Sequence, residues 1–265
     1  MLKLEIMLSK VAKLPILKRL IPSLAIRILK IIGKNRGYYS IRGIDMYLDF
    51  LDPIDREIIL YDEFEKQEIE FLISEIKRKK LNYFLDVGAN CGYYSFKIAE
   101  KISNINIFSF EPNPEAYFKF SKSLLKNSRL SNKIKLENFG LSNENNKFIM
   151  QSMIKFGYAQ TGGSAVIEKN TNEKHHEFYA NFKIGDEYLN LSNKYCAIKI
   201  DVEGHELNVL HGLKKTLDSN KCILQIEIFN NNFEKVDNFL SSLGYKNFNK
   251  VQERSNYFYS NFDIN

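Results

Sequence analysis

The sequence predicts an α/β domain, a mostly parallel sheet of seven strands with helices on both faces, carried behind an N-terminal helical extension. Three observations predict it. After residue 82 short apolar runs alternate with helical segments, the pattern of parallel strands joined by crossover helices. The apolar run at 83–87 breaks into a turn bearing Gly88 and Gly92, which then opens a helix. An acidic residue, Glu111, closes the next apolar run.

The parallel strands fall at 83–87, 105–110, 134–139, 196–201 and 222–228. Helices follow at 92–101, 114–127, 204–217 and 232–243. Residues 245–260 hold two strand-like runs around a polar turn, a closing antiparallel pair that brings the sheet to seven. The stretch 150–180 has weak periodicity and contains Thr161-Gly162-Gly163-Ser164, so it reads as an insertion or lid. Ahead of the sheet, 37–51 alternates around Gly43 and Asp45, a hairpin, and 53–80 reads as a helix ending in Lys77-Arg78-Lys79-Lys80. The chain therefore divides into an extension (1–36), a hairpin and helix (37–80) and the α/β domain (81–265).

A chain of 265 residues, 44% hydrophobic, supports one full domain plus an extension. Its formal charge of +6 is unevenly placed: nine of the 38 basic residues lie in 1–36 against the single acid Glu5, leaving 29 basic and 31 acidic residues beyond. A slightly acidic body excludes a nucleic-acid clamp, which needs a basic face. The extension reads as short amphipathic helices broken near Pro15 and Pro22, with Leu24, Ile28, Ile31 and Ile32 at helical spacing and Arg27, Lys30 and Lys34 between them. Such a stripe either lies on an anionic membrane surface or packs on protein, the body or a second subunit. The basic residues recur instead of preceding an apolar run, and no apolar stretch approaches about 18 residues, so neither a secretory signal nor a spanning helix is expected. A cytoplasmic protein follows, at the inner face of the membrane on the first of those readings. Cys91, Cys196 and Cys222 show no metal-ligand or C-x-x-C spacing and read as buried thiols.

In Phe84-Leu85-Asp86-Val87-Gly88-Ala89-Asn90-Cys91-Gly92 the glycines let the backbone turn sharply and approach a ligand, and the following helix offers unpaired N–H groups. The G-x-x-x-G spacing differs from the G-x-G-x-x-G of dinucleotide sites. Glu111, at a strand end, is placed to accept hydrogen bonds from ribose hydroxyls, as in Rossmann-like sites.

The strings LDVGANCGYYSF, EPNP after the second strand, and IKIDVEGHELNVLHG (198–212) resemble the FkbM family of methyltransferases. FKIGDEYL (182–189) and the terminal NYFYS fit the same pattern, over roughly residues 55–260. The resemblance implies a class I methyltransferase fold, S-adenosyl-L-methionine as cofactor with S-adenosyl-L-homocysteine as product, and methylation of hydroxyls on glycans or natural products. It places Asp86, Gly88, Asn90 and Gly92 at the methionine end of the cofactor, Glu111 at the ribose, and Asn138 and Leu141 beside the adenine, with Gly140 where the family carries alanine.

Methyl transfer is an in-line displacement, so positioning supplies much of the catalysis. A sugar hydroxyl also needs a general base. Asp201-Val202-Glu203-Gly204-His205-Glu206, at the end of the fourth strand, supplies candidates, and strand alternation would put Asp201 and Glu203 on one side. His205 suits a base by its ordinary pKa of about 6.5, or else simply opens the next helix. Asp201 either takes the proton or orients a substrate, and Glu227 completes an acidic cluster. These residue types also suit a divalent metal, but none is expected. His175 and His176 read as an exposed loop pair. The expected function is O-methylation of a sugar or sugar-nucleotide hydroxyl in surface polysaccharide biosynthesis, with a small-molecule or glycan acceptor and no nucleic acid. Two readings stand beside it: a phosphate-type, lipid-linked or natural-product acceptor, and an inactive cofactor-binding protein tethered to membrane or partner.

Overall fold

The computed structural model describes residues 35–155, 158–166, 175–229, 231–251 and 255–263. The expected amphipathic helices of the extension lie outside the described residues. The chain enters through a hairpin, β1 (Arg36–Ile41) and β2 (Ile44–Asp49), whose two turn residues, Arg42 and Gly43, both have positive φ as a tight two-residue turn requires. The single helix expected over 53–80 is two, α1 (Pro53–Tyr61) and α2 (Lys66–Arg78). Asp52 caps α1 by accepting from the Ile54 N–H, with Pro53 in the first turn. The break follows from long-range contacts. Asp62 (φ 50°) ends α1 and takes hydrogen bonds from Tyr93 and Lys97, while Glu65 (φ 44°) is held by the Tyr94 hydroxyl.

The doubly wound part runs β3 (Tyr83–Val87), α3 (Tyr93–Lys101), β4 (Asn106–Phe110), α4 (Pro114–Lys126), the short α5 (Ser128–Ser131) and β5 (Ile134–Glu137). The strand expected over 134–139 stops at Glu137, and the chain crosses into a second sheet through β6 (Gly140–Ser142). A Cβ at Gly140 would lie 2.3 Å from the Phe182 ring, which accounts for glycine there. The expected insertion is built of strands: β7 (Asn146–Lys155), β8 (Tyr158–Ala159), β9 (Ala165–Val166) and β10 (His175–Ile184), with β7 and β10 a long antiparallel pair. Its core is small (Met150, Ala180, Phe182), so the apolar periodicity that marks a strand is faint. His175 and His176 accordingly sit in β10, paired with Met153 and Ser152, and not in a loop.

After the short α6 (Gly185–Tyr188) come β11 (Tyr195–Ile200), α7 (Glu206–Gly212), α8 (Lys214–Ser219), β12 (Lys221–Glu227), α9 (Phe233–Ser242), β13 (Lys246–Val251) and β14 (Asn256–Ser260). The helix expected over 204–217 thus divides at the buried Leu213. The main sheet has seven strands in the order β13-β14-β12-β11-β3-β4-β5. The last five pair in parallel, and β14 is antiparallel to both β12 and β13.

Strand alternation sends Phe84 to one face and Leu85 and Val87 to the other. One core packs α2, α3 and α4 on the first face, and the other packs α7, α8 and α9 on the second. Ile41, Met46, Leu48, Ile58 and Leu72 belong to the first core together with Phe84 and Phe96, so residues 37–80 share it with the sheet. All three cysteines are buried and unbridged. Among the described residues no helix is long and apolar enough to cross a membrane.

Candidate active site

The order of the sheet reverses between β3 and β11, and in open α/β sheets ligands sit beyond the carboxyl ends of the strands at such a point. A cleft, open at its mouth, lies there. Gly88 follows β3 with φ +82°, and a Cβ on it would stand 1.8 Å from the Asp201 carbonyl oxygen, so the two strand ends meet only because residue 88 has no side chain. Asn90 (φ 48°) and Ala89 continue the wall.

Glu111 follows β4 and is buried. Its carboxylate accepts the backbone N–H of Asn90 (2.6 Å) and of Asn113 (2.8 Å). Burial pushes its pKa up to about 7, against the two N–H donors that favour the charged form. Pro112, Leu141, Met150 and Val166 add apolar surface to the cleft lining.

Two expected cofactor residues stand behind the wall, not on it. Asp86 alternates to the α3 face of β3, where it accepts from Ser95 Oγ (2.6 Å), and burial raises its pKa. Gly92 faces Phe120, whose ring would meet a Cβ at 2.4 Å, so glycine here permits helix packing. Asn138 is likewise off the lining. Its amide donates to the Glu111 carbonyl at 2.9 Å and ties the ends of β4 and β5 together.

At the other end Asp201, Glu203 and His205 line the cleft. Asp201, Glu203 and Glu227 bring carboxylate oxygens within 4.8 Å of one another. They converge for a reason other than strand alternation: β11 ends at Ile200, and Glu203 (φ 52°) and Gly204 (φ 103°) curl the chain back. Burial, then Asp201 and Glu206, push Glu203 up to about 7. Burial and the Asp201 carboxylate raise Glu227 further. The cation of this cluster is Lys199, buried in β11, 2.9 Å from Asp201 and lying over the Tyr94 ring at 4.6 Å. Burial works against its charge, but Asp201, Glu65 and Asp86 more than offset that, and its pKa is raised. His205 stands just before α7 with its Nε2 2.9 Å from the buried Ser142 hydroxyl and its ring edge-on to Phe148 and Phe182.

Sequence reasoning did not reach the third wall. Ile54 and Phe64, from the segment before the sheet, line the cleft together with Thr161, Gly162 and Gly163 from the insertion. Beneath them Lys119 of α4 donates to Asp55 (2.6 Å) and Thr161 Oγ1 (2.9 Å), and Asp52 accepts the Thr161 N–H (2.8 Å). One signal pointed this way, the Thr-Gly-Gly-Ser turn in a stretch of weak pattern, just as a lysine inside the apolar strand run Cys196-Ala197-Ile198-Lys199-Ile200 marked the cation of the acidic cluster.

The cleft fits the expected cofactor. A buried carboxyl at the end of β4 suits a ribose, the apolar lining suits a nucleobase, and the Asn90 Nδ2 donors have no partner among the described residues. Fold and site together define a Rossmann-like protein of the class I methyltransferase type. The chain belongs to the family described as the methyltransferase FkbM domain, whose profile matches residues 86–246. Over 167 residues it is 27% identical to the hexuronic acid methyltransferase AglP of Haloferax volcanii, covering 61% of this chain and 62% of that one. It is 26% identical over 198 residues to the methyltransferase sdnD of Sordaria araneosa, covering 60% of this chain and 74% of the other. The chain thus spans about six-tenths of the length of the first of these relatives. A solved FkbM methyltransferase from Methylobacillus flagellatus aligns with 68% of this chain and 43% of its own at 14% identity, with a TM-score of 0.49.

Proposed function

We propose that this protein is an S-adenosylmethionine-dependent O-methyltransferase that acts on a hydroxyl of a sugar or sugar-nucleotide. One observation carries the reading: a single cleft joins a buried ribose-type acid, Glu111, to a carboxyl at the far strand end, Glu203, held near neutral pH. When bound, S-adenosylmethionine supplies an electrophilic methyl group. Glu111 would hold its ribose, Gly88 and Asn90 its amino-acid end, and Pro112 and Leu141 its base. Glu203 would hold the acceptor hydroxyl and take its proton, since a base titrating near the working pH is the most effective kind. Asp201 is committed to Lys199 and fixes the floor on which Glu203 turns. His205, bonded to Ser142, orients the turn at 201–205 and does not take the proton.

The likeness to a hexuronic acid methyltransferase supports the sugar acceptor. The acidic floor favours an uncharged hydroxyl over a carboxylate, because a second anion beside Asp201 and Glu203 is repelled. The test is methyl transfer from labelled cofactor to a panel of hexose and hexuronate glycosides and nucleotide sugars, with mass spectrometry of products. Methylation on a sugar hydroxyl supports the reading. Turnover confined to sugar carboxylates, or to non-sugar acceptors, refutes it.

A further inference from the structure

We propose that Thr161 is a positioning residue for the cofactor: it sets the orientation of the Asn90 side-chain amide so that its N–H donors face the cleft. The inference rests on the cofactor assignment above, not on the acceptor. Thr161 is buried in the turn between β8 and β9, and three groups from distant parts of the chain converge on it. Its backbone N–H donates to Asp52 Oδ2 at 2.8 Å. Its hydroxyl accepts from Lys119 Nζ at 2.9 Å, and shares its proton between Asp52 Oδ2 at 2.8 Å and Asn90 Oδ1 at 3.1 Å.

The consequence falls on Asn90. An amide has two faces, one accepting and one donating, and in isolation either can turn toward a ligand. With Oδ1 engaged by Thr161, Nδ2 is turned to the Gly162 side of the cleft, 3.9 Å from where a Cβ on Gly162 would lie. The backbone of Asn90 is tied as well, through its N–H to Glu111. One residue therefore links the ribose acid to the amide that meets an oxygen-bearing anionic group of the ligand, and Thr161 decides which way that amide points. The ammonium of Lys119 makes the choice stable. Because it donates to the Thr161 oxygen, that oxygen's own proton is left to point at its acceptors.

The glycines beside Thr161 belong to the same device. A Cβ on Gly162 would strike Ile54 at 2.3 Å, so glycine there lets the turn rest on α1. Gly163 (φ +72°) follows, and its N–H reaches the Glu203 carboxylate.

The test is a double-mutant cycle read by calorimetric binding of S-adenosylhomocysteine. Thr161→Val keeps shape and loses the hydroxyl, and Thr161→Ser keeps the hydroxyl. Asn90→Gly removes the amide while tolerating the left-handed backbone that Asn90 adopts. The expected result is about tenfold weaker binding for Thr161→Val, binding within about twofold of wild type for Thr161→Ser, and little further loss when Thr161→Val is added to Asn90→Gly. Two results overturn the proposal. In one, Thr161→Val binds as wild type. In the other, the Thr161→Val and Asn90→Gly losses multiply in the double variant, which makes Thr161 a packing residue independent of the amide. Absence of sugar methylation leaves this cycle unaffected, so the two readings fail separately.

Discussion

The glycine turn after β3 and the buried charge cluster under Thr161 build adjoining walls of one cleft, by different means. The turn is local: within a few residues it supplies positive φ at Gly88, Asn90 and Gly92 and a helix start. The cluster is global: Asp52 and Asp55 come from α1 and its cap, Lys119 from α4, and Thr161 from the insertion. Their energetics differ accordingly. The turn depends on the absence of side chains, whereas the cluster depends on one ammonium compensating two carboxylates that are each no more than 1% exposed. A site can thus be half motif and half assembly, and the assembled half is the more vulnerable to a single charge change.

The comparison breaks most severely at Lys119. Lys119→Met leaves Asp52 and Asp55 buried without their cation, and removing one partner of such a set costs about 3–5 kcal/mol. Urea unfolding monitored by circular dichroism measures it. The pH dependence has a definite sign. Burial, partly offset by Lys119, pushes Asp55 up to about 7, so the folded state holds a proton that the unfolded chain releases at lower pH. That contribution to stability is full below the unfolded carboxyl pKa and is lost as pH rises toward 7. Without Lys119 the preference for the proton strengthens, so the deficit of Lys119→Met should be smaller at pH 5.5 than at pH 8. An equal deficit at both would show that Asp55 does not titrate in the cluster.

A smaller effect, on rate and not on stability, separates the residues of the strand-end turn. Glu203→Gln should lower kcat by about 10²–10⁴ while cofactor affinity holds. A base must be unprotonated to act, so wild-type kcat/KM should rise with pH through the region near 7 to which Glu203 is pushed. His205→Ala should keep that rising limb. If His205→Ala abolishes the limb and Glu203→Gln retains it, the proton goes to the imidazole.

The mildest expected change is on the motif side. Glu111→Ala should weaken S-adenosylhomocysteine binding by about 1.5–3 kcal/mol, the scale of hydrogen bonds to a charged group. Calorimetry decides it, and unchanged affinity in a folded variant removes Glu111 from the ribose.

What the sequence determined by itself was everything that depends on neighbours along the chain. The order of parallel strands and crossover helices, the turn at 88–92, Glu111 at its strand end, the closing pair at the sheet edge and the acids of the 201–206 turn were all legible, because strand period, glycine and strand-end position are local properties. Tertiary structure alone decided which of those residues reach the cleft. Asp86, Gly92 and Asn138 carry the motif yet face α3, Phe120 and the Glu111 backbone, since alternation and helix packing aim them there. It also decided that α1 and the insertion would close the site. Polar groups 42 to 109 residues apart meet in the Lys119 cluster, and no local pattern encodes such a meeting, because the cost of burying each group is met only by partners that folding brings in.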